Sequence, residues 1–404
     1  PSAPGKRFPK DTKVTDMLYA CYESAANGED FSEQLDNIHA RYQEIIDGLN
    51  LDFSLDLDFV QIKENFSNKA GADYAASRGE CLNGKIMAAY LGFEFVDAAE
   101  VVRFNDDGSF NDEVTNTLLS ERLQDCKTAV IPGFYGAKKD GTIVTFSRGG
   151  SDITGSLVAL AVQADLYENW TDVSGFLIAD PRIVKNPKSI ETITYKELRE
   201  LSYMGASVLH EDAIFPVRKA GIPINIRNTN APQDKGTLIV EGTCRQPKYT
   251  ITGIAGTDGF VAITVEKAMM NSEVGFCRKV LQVFEDNGVS IEHMPSGIDT
   301  MSIFVNKDVF EEKEQKILAD IHKAVNPDHI ELESNLALIA VVGRGMKSTR
   351  GTAGRIFSAL AHAHINVKMI DQGSSELNII IGVRHDDFKN AIRALYEIFV
   401  LTQI

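Results

Sequence analysis

Apolar positions early in the chain recur at helical spacing. Phe31, Leu35, Ile38, Tyr42, Ile45 and Leu49 fall on one side of a helix from about Phe31 to Leu49. A helix before it runs from Val14 to Ala26 and stops before Gly28, the residue type that most readily closes a helix in the left-handed conformation. A third helix begins near Leu57, and a fourth covers about Gly79 to Leu91. The pattern then shortens into strands at Phe95 to Val96, Val101 to Phe104 and Thr128 to Ile131, with a turn at Asp107-Gly108 and a hairpin at Asp140-Gly141. Thr142 to Phe146 alternates as a strand and runs directly into a helix carrying Ile153, Leu157, Leu160, Ala161 and Ala164 on one face. Another strand lies near Asn169 to Thr171. Thr194 and Glu197 make a capping-box pattern, and a helix from about Ser207 ends at Gly221 before the strand Ile224 to Arg227. Helices alternating with strands predict an α/β domain with a mostly parallel sheet sandwiched by helices. Glu241 to Lys248 has linker composition and marks a domain boundary.

Beyond that linker the pattern repeats. Ile263 matches Ile339 and Val265 matches Val341, an offset of 76 (339 − 263). The same offset pairs Gly275 with Gly351, Val280 with Ile356, Phe284 with Leu360, Val289 with Ile365, Ile303 with Ile379 and Val305 with Ile381. A period of this length is too long for a solenoid and predicts two small α/β domains, each strand, helix, strand, strand, helix.

Composition narrows the classes. The 404 residues leave room for two or three cores. A formal charge of −16 argues against nucleic acid or an anionic membrane as partner, while leaving room for a local cationic pocket. The five cysteines are scattered and form no Cys-x-x-Cys, which reads as reduced thiols of a cytoplasmic protein. No histidine spacing fits a zinc site, and no apolar run is long enough to span a bilayer.

The stretch Ser147-Arg-Gly-Gly-Ser-Asp152 carries the clearest chemistry. Two glycines allow close backbone approach, and Ser151 or Asp152 can cap the helix that follows. The free amides of a helix start attract anions, and Arg148 offers a planar donor fork matched to a carboxylate. Strand, glycine turn and helix start together form a site for phosphate or carboxylate; the same stretch also fits a plain tight turn.

Several segments together resemble aspartate kinase, an amino-acid-kinase fold followed by two ferredoxin-like βαββαβ (ACT) domains. They are Ser77-Arg-Gly-Glu80, Pro132-Gly-Phe134, Thr145-Phe-Ser-Arg-Gly-Gly-Ser-Asp152, Trp170-Thr-Asp172, Asp180-Pro-Arg182 and Met204-Gly-Ala-Ser-Val-Leu-His210. The resemblance covers nearly the whole chain. It implies a catalytic domain over residues 1–240, a linker over 241–250, and ACT domains over 251–330 and 331–404. It also implies transfer of the γ-phosphoryl group of ATP, with Mg2+, to the side-chain carboxylate of L-aspartate. In that family Arg148 would grip a substrate carboxylate, Glu80 the substrate ammonium, and Thr15, Gly150 and Ser151 would contact substrate or phosphate, with Asp152 organising the site. Thr171, Asp172, Leu177, Arg182, Ser207 and Val208 match the ATP pocket. Taken alone, Glu80 reads equally as a first-turn helix acid, and Asp180-Pro-Arg182 as a turn.

Two departures weigh against full activity. The family opens with a strand and a lysine-phenylalanine-glycine-glycine loop, and the chain starts abruptly at Pro1 without them. The family's lysine in the later helix is replaced by Ser207. The resemblance further implies an amino-acid effector, lysine first and threonine second, at Met269, Ser272, Gly275, Phe276 and Glu292, and a homodimer or tetramer built through the ACT domains. In the 76-residue alignment Glu292 faces Lys368 in the second copy, so only one copy is expected to bind the ligand. A kinase for another carboxylate and a catalytically weak amino-acid sensor are the competing readings. A fused homoserine dehydrogenase is disfavoured, since only about one helix follows Gly382.

Overall fold

A computed structural model describes residues 1–147, 149–206, 211–243 and 249–402. It forms two compact units, one of residues 1–169 and 209–225, the other of residues 170–208 and 226–404. No helix among the described residues is long and apolar enough to cross a membrane.

The first unit opens with four helices, α1 (Val14–Asn27), α2 (Ser32–Gly48), α3 (Asp56–Ser67) and α4 (Ala72–Leu91). Gly28 closes α1 in the left-handed conformation, φ 80°, as its position predicts. The apolar stripes interlock in one core that includes Leu18, Ile38, Tyr42, Ile62, Phe66 and Leu82. α4 starts seven residues (79 − 72) before the expected Gly79. Glycine normally marks helix ends. Here Gly79 and Gly84 sit inside the helix because neighbours press on it: a Cβ at Gly79 would lie 2.8 Å from Ala3 Cβ, and one at Gly84 3.2 Å from Phe95. Glu80 is therefore a mid-helix residue, and its first-turn reading is wrong.

After β1 (Glu94–Phe95), the expected strand at Val101 to Phe104 is instead a one-turn helix, α5 (Ala98–Val101), followed by isolated bridges at Arg103 and Phe104. The cause is Asp97, whose side chain caps the turn by accepting from the Ala99 amide at 2.9 Å. The unit continues through α6 (Asp112–Leu123), β2 (Ala129–Val130), the antiparallel hairpin β3 (Tyr135–Ala137) and β4 (Ile143–Thr145), and α7 (Gly150–Ala161). A second core gathers Val96, Val102, Phe104, Leu119, Tyr135 and Leu157. α9 (Glu211–Lys219) returns to pack on α7.

A four-stranded sheet is ordered β5 (Tyr167–Thr171), β7 (Ile224–Asn228), β8 (Thr237–Val240), β6 (Thr192–Thr194). β6 leads into α8 (Tyr195–Tyr203) through the predicted capping box of Thr194 and Glu197. The remainder is one six-stranded sheet, ordered β10 (Ile291–His293), β11 (Thr300–Asn306), β9 (Gly253–Glu266), β12 (His329–Val342), β14 (Asn378–Arg384), β13 (Met369–Asp371). It is backed by α10 (Phe276–Asp286), α12 (Glu314–Val325), α13 (Thr352–His362) and α14 (Phe388–Tyr396), with a short α11 (Lys307–Glu311) between. β9 and β12 pair along most of their length, so the two copies share a continuous sheet.

The duplication holds at an offset of 76 through the first strand and helix: α10 and α13 begin 76 residues apart (352 − 276), after glycines at φ 82° and 80°. It then slips by two. Ile263 lies opposite Ile303 while Ile339 lies opposite Ile381, an offset of 78 (381 − 303). At the edge strands the offset is still 76, since His293 lies opposite Phe304 and Met369 opposite Gly382 (369 − 293), so the two extra residues of the second copy lie between β13 and β14. The matches of Ile303 with Ile379 and Val305 with Ile381 are therefore out of register by two. Glu292, beside His293, keeps Lys368 as its counterpart at the offset of 76, at a point where the register of β10 shifts.

Candidate functional site

The predicted anion turn is built by two backbones pressed together. A Cβ on Gly133 would stand 2.7 Å from Ser151 Cα, and one on Gly150 would stand 2.8 Å from Phe134 Cα. Only glycine at both positions lets the Pro132-Gly-Phe134 turn meet the start of α7. Phe134 takes φ 79°, a conformation that costs a non-glycine residue energy and is held by its surroundings. Its amide donates to Thr154 Oγ1 at 3.2 Å, and its carbonyl accepts from the Phe146 amide at 2.9 Å.

The expected capping role of Ser151 or Asp152 is not what the structure shows. Gly149, at φ 56°, takes the cap position, Gly150 begins the helix, and no side chain caps it. The two glycines shift the helix start forward and place Ser151 and Asp152 within the first turn. Asp152 instead accepts from Asn169 Nδ2 at 2.8 Å, and Ser151 Oγ lies 3.0 Å from Ser2 Oγ. Arg148 lies outside the described residues.

Glu80 stands in the same unit. α4 buries it to 7% exposure, and its Oε2 atom has no hydrogen-bond partner among the described residues. Burial pushes its carboxyl up to about 7, with the Ala3 amide pulling the other way. Thr15, on the first turn of α1, brings its hydroxyl within 3.7 Å of the Cβ position of Gly79, so Thr15 and Glu80 flank one corner. The Tyr42 hydroxyl donates to the Gly79 carbonyl at 2.8 Å and fixes this part of α4.

Sequence reasoning missed the residues that aim this corner. Asp73, on the first turn of α4, accepts from the Thr145 amide at 3.2 Å and from its hydroxyl at 3.0 Å, tying α4 to the strand that feeds the glycine turn. Arg78 is wedged between the Tyr74 and Tyr135 rings, 4.7 and 5.4 Å from their centroids. The available signal was the true start of α4 at Ala72, which puts Asp73, Arg78 and Glu80 on one element.

In the second unit, Thr171 ends β5, and its carbonyl accepts from the Thr229 amide at 2.9 Å and hydroxyl at 3.0 Å. Its own hydroxyl reaches Asp172 Oδ1 at 3.4 Å. Leu177 forms an isolated bridge with Ser189. Arg182 is 86% exposed and folds back on Asp180, 2.7 Å from Nη2 to Oδ2, which holds the Asp180 carboxyl below its ordinary value. Ser207 and Val208 fall outside the described residues.

The residues matched to an effector site sit on the first copy's strand-to-helix connection. Met269 is exposed at φ 62°, Met270 to Ser272 make one 3-10 turn, and Gly275 precedes a buried Phe276 at the start of α10. Glu273 is clamped by Lys267 and Lys279, each at 2.7 Å, which hold its carboxyl down to about 2. Glu292 lies on edge strand β10, and its Oε2 accepts from the Tyr203 hydroxyl.

Residues 24–228 match the Amino acid kinase family and residues 339–399 an ACT domain. Aspartokinase 3 of Bacillus subtilis is 40% identical over 98% of this chain and 91% of its own length. The crystal structure of Clostridium acetobutylicum aspartate kinase is 54% identical, with a TM-score of 0.88 over 99% of this chain and 92% of that one. Escherichia coli aspartokinase III, solved with aspartate and ADP, shares the fold at 24% identity and a TM-score of 0.67, over 96% of this chain and 91% of that one. With a kinase-family match over half its length and relatives of this closeness, the chain is a kinase and belongs to the aspartokinases of the amino acid kinase family.

Proposed function

We propose that this protein transfers the γ-phosphoryl group of ATP to the side-chain carboxylate of L-aspartate, giving 4-phospho-L-aspartate as the first step toward lysine, threonine and methionine. The observation that carries this reading is Glu80, a buried carboxylate with one oxygen unpartnered among the described residues. A substrate α-ammonium would satisfy that oxygen and hold the glutamate ionised. Thr15 flanks the same corner, and the uncapped start of α7, with Gly150 and Ser151, offers donors to an anion. Arg148 would take the α-carboxylate as a two-pronged donor.

The substrate's side-chain carboxylate is ionised at neutral pH, since aspartate titrates near ~3.9, so no general base is needed. One carboxylate oxygen bonds to the γ-phosphorus, the bond to the β-phosphate oxygen breaks, and ADP leaves with that electron pair. What the protein supplies is positioning and neutralisation of phosphate charge. Thr171, Asp172, Leu177, Arg182, Ser207 and Val208 would hold the nucleotide, with Arg182 exchanging Asp180 for phosphate. Magnesium would neutralise phosphate charge. It usually binds through substrate phosphates and one or two carboxylates, and Asp152, oriented by Asn169, has the chemistry for that role.

In the same reading the protein is cytoplasmic, and lysine, or threonine in second place, binds at Met269, Ser272, Gly275, Phe276 and Glu292 and inhibits the kinase. Met269, Val274 and Ile298 of the first ACT copy are 70%, 96% and 71% exposed, apolar surface that a second copy would cover in a homodimer or tetramer. In this reading the domain limits would be 1–240, a linker over 241–250, 251–330 and 331–404. The test is ADP release with hydroxylamine trapping of the acyl phosphate, run with aspartate and other small carboxylates and titrated with lysine. Aspartate-dependent turnover that lysine suppresses supports the reading. Lysine binding without turnover would identify a sensor, the outcome that Ser207 in place of a lysine favours.

A further inference from the structure

We propose that Tyr203 belongs to the effector site: its hydroxyl holds Glu292 in the ligand-free protein, an effector's ammonium group displaces it, and the freed end of α8 carries the signal toward Ser207 and Val208. The inference rests on reading Glu292 as the effector's carboxylate partner.

The argument begins with how α8 is fastened. Its first turn is held by Glu197, fully buried, which accepts from Thr252 Oγ1 at 2.6 Å, the Arg344 amide at 2.9 Å, Arg344 Nη1 at 2.8 Å and the Thr194 hydroxyl at 2.8 Å. Its middle is held where Asn378 Nδ2 donates to Glu200 Oε2 at 2.5 Å. Its last residue is Tyr203, 64% exposed, whose side chain is tied to the regulatory sheet by the hydroxyl donated to Glu292. One end of the helix is locked by buried charge; the other carries, beside the Met204 carbonyl bonded to Thr257, a solvent-facing contact that a ligand can reach.

That contact is also the weaker chemistry. Glu292 has no ion pair among the described residues, and its partner is a neutral hydroxyl. An ammonium against the same carboxylate makes a charge-assisted bond, stronger than one from a neutral donor. Burial and the neighbouring Glu292 push the Tyr203 phenol up to about 12, so at neutral pH it remains a donor and never a competing anion.

In sequence, α8 runs on toward the residues proposed to hold the nucleotide. Immediately after α8, the Met204 carbonyl accepts from Thr257 Oγ1 at 3.1 Å, and Gly205 turns the chain at φ 93°. Ser207 is four residues beyond Tyr203 (207 − 203). Because both equilibria share one contact, effector binding and nucleotide affinity must oppose each other by the same factor.

The test compares the full chain with Tyr203→Phe, Glu292→Ala and the double variant, measuring lysine binding by calorimetry and kinase KM for ATP with and without lysine. Tyr203→Phe is expected to bind lysine about 5-fold tighter or more, to raise the KM for ATP without lysine while leaving kcat near its starting value, and to respond little to added lysine. In the absence of lysine, both single variants and the double variant should raise that KM by one common factor. Unchanged lysine affinity with unchanged inhibition in Tyr203→Phe overturns the proposal, as does a KM that none of the variants moves or that the two changes move additively. A wild-type chain that binds no lysine fails the effector reading instead, and the lysine-free KM comparison still decides whether the contact reaches the nucleotide. Retained circular dichroism melts separate either result from misfolding.

Discussion

Glu197 and Arg344, 147 residues apart in sequence, meet twice: the Arg344 amide and its Nη1 atom both donate to the one carboxylate. Glu197 has no exposed side-chain surface and Arg344 only 19%. A buried pair of this kind gives little net stability, yet removing one partner strands the other charge in a poor solvent. Glu197→Ala should therefore lower unfolding stability by about 3–5 kcal/mol, read as a shift in urea midpoint. Burial pushes Glu197 upward, but hydrogen bonds from Thr252, the Arg344 amide and Thr194 outweigh it and leave the carboxyl below its ordinary 4.5. The stabilisation is thus present above that unfolded value and lost as the pH falls through the lower folded one. The gap between wild type and variant should narrow in acid; a gap of constant size from pH 7 to pH 3 would refute this origin.

Gly133 and Ser151 set the aperture of the anion turn. Gly133→Ala would place a methyl group 2.7 Å from Ser151 Cα and 2.8 Å from its Oγ, so the start of α7 must move. Overpacking of this kind costs about 1–3 kcal/mol. Activity should suffer more than stability, because the displaced residues are those proposed to meet substrate and phosphate. The check is a melt run alongside kinetics: a rise in KM for aspartate with a modest fall in Tm is expected, and unaltered kinetics would remove α7 from the site.

Asn169 orients Asp152 through a bond of 2.8 Å and accompanies the Tyr167 hydroxyl at 3.0 Å. Asn169→Ala leaves the Asp152 carboxylate present but unaligned. A misplaced group of this kind can cost up to about 100-fold in rate. The expected result is a fall of about 10-fold or more in kcat, with the affinity for aspartate largely kept. Asn169→Asp, placing two carboxylates together, should be worse than Ala, and a variant with normal turnover would take Asp152 out of the reaction.

How much of this was legible in the sequence follows from how local each cause is. α1, α2 and the capping box of α8 obey periodicity and capping rules acting within a few residues, and the structure places them within a residue or two of the pattern. The duplicated tail was legible for the same reason through its first strand and helix. A two-residue slip in a loop leaves no trace in an apolar pattern of period two, because a shift of two keeps every side chain on its face. Only strand register exposed it. The failures at α4 and α5 arose from tertiary causes: glycines placed for close packing, and an aspartate cap where β-branched residues suggested a strand. Asp73 is legible only once α4 is started at Ala72, and Asn169 not at all, since their partners lie 72 and 17 residues away.

Glu80 provides the most direct test of the proposed chemistry. Burial raises its carboxyl to about 7 in the free protein, whereas an exposed glutamate titrates at 4.5. Between those values the folded state binds more protons than the unfolded state, so this group's contribution to stability falls as the pH rises through that window. Glu80→Gln abolishes the slope and should gain stability relative to wild type above pH 7. Substrate binding should run the opposite way. An ammonium needs the ionised carboxylate, so wild-type affinity for aspartate should strengthen as the pH climbs through about 7. Losing a charge-assisted hydrogen bond costs about 1.5–3 kcal/mol, or about 10- to 100-fold in KM. Glu80→Gln should therefore raise the KM for aspartate by that factor above pH 7 and flatten its pH dependence, while the KM for ATP stays put. A pH profile that keeps its inflection near 7 in the variant would show that another group titrates there and that Glu80 does not receive the substrate's ammonium.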